Sequence, residues 1–595
     1  MIPNYKETFP PKEPTIFQED ISLIFLASLF RTKNSGPPLP LRRTFSLARE
    51  IGFKSIFCEP TFWPDHACNE DNCGQRFTSC KQYVECLKKY YNTTLKSKEC
   101  YKFVFFRSQI KERADLSLVS ARDLIGFCFL HRDTFQGPDR EIWQAAYVTE
   151  SIINIRSTNV DVFSFGQSES RIVVDGNEFN LTGNYFSQQN NITNCCAHAA
   201  IKMAIRGYYP NTTAELINAC AGIDHTHLKG NIGLDPDGFT KVIREISQQK
   251  ADYFDARSFE TPFHFLKFVY HAIESRFPVI LLFTYPLAEK DKFPKKQGYH
   301  AATLIGHTFN KHTWWANAWK GYFAPRGDKS RYYQYLPSLM WCNNFVIQDD
   351  NLGPYYLLPL HSLKISDLSS ILTPRSRALI NELKILLSKK YPWMYRPLYC
   401  VVTYPKKIPS FNLIMEAEPY ALKRLRQYLK QLFKEEKKEK NKYHNNKQVK
   451  GLPNNMYFTK YLLPYCEENS LILRTFVINK KDYVSNFASY YRTETIISLD
   501  DYIKSLNHIL PDFIWLTEIS VPELFWINEM KLGDIIIDPH IFEKRRFGGG
   551  HAAVIFMKLP GLMTFLKSEK IRRFYTNERE SRYPLISPDS NLCFK

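Results

Sequence analysis

A cysteine at a helix start, a histidine at the head of a later strand and an aspartate at the end of another form the arrangement in this chain best suited to chemistry. Residues 196–206 (CAHAAIKMAIR) place Ala197, Ala200, Ile201, Ala204 and Ile205 on one helical face, and Gly207 follows as a stop, so Cys196 opens a helix. A helix N-terminus offers partial positive charge and unpaired N–H groups, which favour a thiolate and can bind an oxyanion. His300 begins the predicted strand HAATLIG and supplies the base that such a nucleophile requires. Asp349 follows the strand FVIQ and can hold the imidazole in one tautomer while balancing its charge. Gln188 and Gln189 carry side-chain amides able to join the Cys196 N–H on the same oxyanion. Without partners, Cys196 reads as a small buried residue at a helix start. The partners carry the chemical reading.

At these residues the chain resembles the papain-like cysteine peptidases, most closely the branch of double-glycine leader peptidases. The resemblance rests on FSQQNNITNCCAHAA, on YHAATLIGH and on FVIQDDNLG, and it covers about residues 170–360. It implies an α+β fold with a papain-like domain, in which a helix carrying Cys packs on an antiparallel sheet carrying His and Asp. It also implies Cys196 as nucleophile, His300 as base, Asp349 as orienting acid and Gln189 as oxyanion donor. The reaction would be hydrolysis of a protein or peptide substrate through a thioester, with no cofactor and no metal. Two choices stay open on the residues themselves. The family's Gln lies six residues before its nucleophile, which pairs Gln189 with Cys195, whereas Cys-x-x-Ala-Ala selects Cys196. Asn317, in WWANAWKG, resembles the Asn-x-Trp of papain proper and competes with Asp349. The same triad would serve an acyltransferase or transglutaminase-like enzyme, and the same fold without turnover would serve as an interaction module.

Other candidates are weaker. His551 follows GGG, but no cysteine opens a helix near it. His198 lies about 200° around the helix from Cys196 and reads as surface or packing. His300, His307 and His312 lack a matched carboxylate or thiolate spacing for a metal. Cys58, Cys68, Cys73, Cys80, Cys86 and Cys100 crowd together near His66 without the CxxC pairs that offer two ligands from one turn, so free thiols are the expectation.

The elements that must position these groups are buried strands at 278–285 (PVILLFTY), 300–306 and 345–348, with a hairpin at Asp175-Gly176. Three regions follow from changes of pattern: 1–130, mixed α/β with the cysteine cluster and a helix near 79–91; 131–365, the thiol hydrolase domain; and 366–595, α+β. The last holds a helix over 374–391, a strand over 398–404, a helix over 420–435, a solvated Lys-rich loop over 434–450 and the strands IWLTEIS and GDIIIDP. With 595 residues, 44% apolar and 23% charged, the chain is globular and multidomain rather than disordered or collagen-like. Its 79 Lys+Arg against 60 Asp+Glu give +19, which favours acidic surfaces in general. No zinc finger, RNP strand or Walker loop argues for nucleic acid. The longest apolar run, residues 21–30, is half of what a spanning helix needs, and no basic n-region precedes it. No membrane span and a cytoplasmic location are expected.

Overall fold

The computed structural model describes residues 13–19, 39–61, 94–136, 140, 142–155, 162–164, 168–189, 196–210, 212–223, 234–260, 262–286, 297–309, 335–360, 396–443, 456–467, 470–490, 499–546, 553–559, 562–567, 570–575 and 583–586. The class is mixed α+β, built on antiparallel sheets. The first sheet contains β1 (Thr15–Gln18), β2 (Ser55–Pro60), β3 (Thr94–Phe106), β4 (Leu124–Gln136), β5 (Ile142–Ile153), β7 (Ser168–Val174) and β8 (Asn177–Phe186), in the spatial order 1-2-3-4-5-8-7. The β7–β8 turn has Asp175 at φ 48° and Gly176 at φ 80°. Two positive φ values in succession are what a two-residue type I′ hairpin requires, which accounts for the Asp-Gly pair. Helix α1 (Leu39–Ile51) covers this sheet, with the Phe45 ring edge-on to Phe103 and Phe105 at 5.3 and 5.4 Å. Residue 130, where the pattern suggested a boundary, lies inside β4, paired with β5 on one side and β3 on the other. Cys58 and Cys100 are buried free thiols of β2 and β3. The other four clustered cysteines and the helix expected near 79–91 lie outside the described residues.

The second sheet runs in the order β14 (Gly353–Pro359), β13 (Cys342–Asp349), β11 (Gln297–Phe309), β10 (Val279–Pro286), β15 (Arg396–Tyr404) and β9 (Lys250–Asp255), while β6 (Val162–Ser164) pairs with the far end of β11. Among the described residues, the helices that flank it include α2 (Cys196–Ile205), α3 (Ala214–Ala221), α4 (Pro236–Ser247) and α5 (Pro262–Glu274). The β10 sequence is apolar without alternation because both its faces are covered. Ile280 packs into the α2–α4 core, and Val279, Leu281 and Phe283 pack into the α5 core. The sheet also takes strands from both sides of position 365, where a second boundary was expected, since β15 sits between β10 and β9. The helix expected over 374–391 lies outside the described residues.

Helix α6 (Ile414–Tyr443) and α5 fill the space between this sheet and a third one, ordered β12 (Leu336–Pro337), β16 (Ile472–Asn479), β17 (Phe513–Ser520), β19 (Gly533–Ile537), β20 (Val554–Leu559), β21 (Leu562–Lys567) and β22 (Lys570–Tyr575). A separate short ribbon pairs β18 (Met530–Lys531) with β23 (Tyr583–Pro584). Leu422, Leu425 and Leu429 of α6 share one core with Val402 of the second sheet and Trp515 of the third. The expected Lys-rich loop is corrected here: residues 434–443 continue α6, because Lys and Glu are good helix formers, and 444–450 lie outside the described residues. Among the described residues no helix is long and apolar enough to cross a membrane.

Two buried ionic groups tie these layers together. Glu274, ending α5, accepts from Arg474 of β16 at 3.0 Å and lies 2.8 Å from His307 Nε2, and Arg474 also donates to Glu518 of β17 at 2.7 Å. Glu418 of α6 accepts from the Tyr335 hydroxyl at 2.9 Å and pairs with Lys267 and His271 of α5. Burial would raise the Glu418 pKa, but the Lys267 charge and the His271 contact outweigh it and hold the carboxyl at about 2, below its ordinary 4.5. A depressed folded-state pKa gives stability that is present above the unfolded value and lost as pH falls through the folded one. Unfolding free energy should therefore drop by about 3 kcal/mol from this group between about pH 5 and pH 2. Urea unfolding of Glu418→Gln should lack that part of the slope; an unchanged slope would refute the assignment.

Candidate active site

Helix α2 is buried on every side, which its Ala-rich sequence permits by keeping the side chains short. Ala197, Ala200, Ile201, Ala204 and Ile205 join Ile280, Ala301 and Val401 in one core, as the helical period requires. Ala199 and Met203, on another side, belong to the core that also holds Tyr185, Ile305 and Val346. The strand is pinned to the helix by Thr303, whose hydroxyl donates to the Ala200 carbonyl at 2.7 Å. His198, expected as surface or packing, is buried, with Nε2 2.7 Å from Asn218 Oδ1 of α3. Cys196 opens the helix, partly exposed and with a free thiol. Cys195, the alternative nucleophile, lies outside the described residues.

His300 lies within β11 rather than at its start, since the strand begins at Gln297. Its ring is buried and stands edge-on to Phe283 at 5.3 Å. The Cys196 thiol is near enough to this imidazole to help raise its pKa. Nε2 lies 3.2 Å from Asp349 Oδ1, 3.2 Å from Asp350 Oδ1 and 3.5 Å from the Asn351 amide nitrogen. With Nε2 among the carboxylates, Nδ1 is the nitrogen left for the sulfur. Asp349 Oδ1 also accepts the backbone N–H groups of Asn351 and Leu352 at 2.9 and 3.1 Å, an Asx turn that fixes the carboxylate. Asn317 and His551 lie outside the described residues.

The charges follow from this geometry. Burial opposes a charge on His300, but Asp349 and Asp350 together outweigh it and raise the imidazole well above its ordinary range. Burial likewise opposes ionisation of Asp349, and the His300 charge with the two N–H donors overcomes it, so this carboxyl is lowered. Asp350 is pushed up to about 7 by burial and by the Asp349 charge, against the pull of His300. Asp349 is therefore the more readily ionised of the two. Such an arrangement favours an imidazolium beside the Cys196 sulfur.

Of the two glutamines, Gln188 is engaged elsewhere. Its N–H donates to the Val148 carbonyl at 2.8 Å, and its side-chain oxygen accepts the Val148 N–H at 2.9 Å, so it extends the first sheet. Gln189 follows it and is buried. Sequence reasoning missed Asp350 and Asn351 as neighbours of His300, although QDDN places both beside Asp349. His307 also meets a carboxylate, Glu274 of another element, which no local spacing discloses.

The turn carrying the carboxylates is braced by the N-terminal sheet and its helix. Arg43 of α1 donates to the carbonyls of Pro354 and Tyr355 at 3.4 and 3.1 Å. The Tyr355 hydroxyl donates to Ile153 O at 2.7 Å and accepts from Asn184 N at 2.9 Å. Gly353 has φ 113°, and a Cβ there would stand 2.8 Å from Arg43 Cβ and 3.1 Å from Pro40 Cα. Gly353→Ala should therefore destabilise the fold by about 1–3 kcal/mol and slow thiol labelling of Cys196 by displacing Asp349. Denaturant unfolding and labelling rates check both effects, and wild-type values in each would refute the bracing role. Comparison with known proteins finds no family model, no curated protein and no solved structure that matches this chain.

Proposed function

We propose that this chain is a thiol hydrolase, a cysteine peptidase or amidohydrolase working through Cys196, His300 and Asp349 in a papain-like domain. The observation that carries the reading is the buried His300 ring, 3.2 Å from the Asp349 carboxylate and raised in part by Cys196, which opens a helix. In this reaction the thiolate attacks an amide carbonyl, the Cys196 N–H and Gln189 receive the oxyanion, and His300 protonates the leaving amine. Water, deprotonated by His300, then attacks the thioester, and Cys196 leaves as the thiol. Buried free thiols at Cys58, Cys128, Cys342, Cys400 and Cys466 accord with a reducing compartment such as the cytosol.

The test is labelling of the full chain with a limiting amount of a thiol-directed electrophile, mapped by mass spectrometry. Modification concentrated on Cys196 supports the proposal. Labelling of Cys195 instead would move the nucleophile one residue. Labelling spread evenly over exposed thiols would remove the enzyme reading and leave an interaction module.

A further inference from the structure

We propose that His300, Asp349 and Asp350 form a binding site for one divalent transition-metal ion, Zn2+ above all, and that its occupancy blocks the thiol chemistry of Cys196. The second half rests on the thiol hydrolase reading; the first does not. One nitrogen and two carboxylate oxygens from these residues lie within 4.8 Å of one another, all in buried side chains. His300 Nε2 is 3.2 Å from an oxygen of each aspartate. Ligands held at about 2.0–2.1 Å around a tetrahedral Zn2+ stand about 3.3 Å apart, so the ion would enter with little rearrangement.

The independent sign is Asp350. It is wholly buried; its Oδ1 meets only the His300 ring, at 3.2 Å, and among the described residues its Oδ2 has no hydrogen-bond partner, nor has Asp349 Oδ2. A carboxyl taken out of water without hydrogen bonds is unfavourable, and buried carboxylates are ordinarily paired or coordinated to a metal. Orienting one imidazole needs a single carboxylate, which Asp349 already supplies. A second carboxyl at the same distance from the same nitrogen is what a ligand set requires. The N–H groups of Asn351 and Leu352 hold Asp349 Oδ1 from behind, as outer contacts do for metal ligands. One imidazole and two carboxylates suit Zn2+, Co2+ or Ni2+ and are too few and too mixed for Ca2+, which takes six to eight oxygens.

Occupancy would also explain a block. With the Nε2 lone pair on the ion, Nδ1 keeps its hydrogen and can only donate toward Cys196. The ring then cannot accept the thiol proton. Zn2+ would act here as a reversible brake on a site that works without it.

The experiment is equilibrium dialysis of the full chain, stripped with chelator, against Zn2+ alone, with Co2+ as the spectroscopic probe. One ion per chain is expected, with visible Co2+ absorption. Asp350→Asn and Asp349→Asn, each nearly isosteric, should weaken binding at least tenfold while thermal unfolding shows them folded. Cys196→Ala should still take up the ion, which separates metal binding from catalysis. Zn2+ should slow labelling of Cys196, a chelator should restore it, and Asp350→Asn should need at least tenfold more Zn2+ for the same slowing. Failure to bind one equivalent, or binding unchanged in both aspartate variants, overturns the site. Labelling that is insensitive to Zn2+ in a protein holding one equivalent overturns the block. Should Cys196 prove unreactive with and without chelator while one ion still binds through the aspartates, the hydrolase reading falls and the metal site stands.

Discussion

Cys196→Ala is expected to abolish hydrolysis of an amide substrate, a loss of about ten-thousandfold or more, while the chain stays folded. The size of the effect follows from the role: without a sulfur no thioester forms, and neither His300 nor the helix N-terminus can attack a carbonyl in its place. The small effect on stability follows from the setting. Cys196 is partly exposed at the first position of α2, whereas the contacts that hold the helix belong to Ala197, Ala200, Ile201, Ala204 and Ile205. Removing one sulfur there leaves no cavity inside that core, so the melting temperature should move by no more than a few degrees. Cys195→Ala should be mild. Loss of activity in Cys195→Ala with retention in Cys196→Ala would transfer the nucleophile to the neighbouring residue, and retention in both would end the hydrolase reading.

The second large effect is expected at Asp349. An Asn in its place keeps the shape and can still accept the N–H groups of Asn351 and Leu352, so the turn should persist. What it loses is the negative charge 3.2 Å from His300 Nε2 that stabilises the imidazolium. The turnover number should fall by about 10²- to 10⁴-fold with little change in KM, because the charge is needed only once the ring has taken the thiol proton. Asp350→Asn should cost less, since Asp350 carries a proton up to about pH 7 and contributes less negative charge when turnover begins. Asn317→Ala should also cost much less. A larger loss at Asp350 or at Asn317 would reassign the orienting role, and no loss at any of the three would leave His300 without a partner and sink the triad.

Several features were legible in the residues because they depend on neighbours a few positions away. The Asp175-Gly176 turn follows from the positive φ values a tight hairpin needs. The start of α2 at Cys196 follows from a 3.6-residue apolar period interrupted at Gly207, and the β10 strand from an unbroken apolar run. Length was less legible. Residues 434–443 read as a solvated loop because a run of Lys and Glu shows no apolar stripe, yet their helix propensity lets α6 continue through them.

The sequence by itself determined which segments become helix and strand around Cys196, His300 and Asp349, and which residue types could act there. Only the tertiary structure decided what stands beside them. Asp350 reaches the same ring nitrogen as Asp349, Gln188 pairs with Val148 of β5, and Glu274 meets His307 and Arg474 between two sheets. Arg43 braces a turn more than three hundred residues away. Residue 130 falls within β4, and the second sheet draws strands from both sides of position 365. The reason is physical: periodicity and turn chemistry act through covalently near neighbours, whereas charge pairing, burial and strand insertion depend on which distant segments share a core.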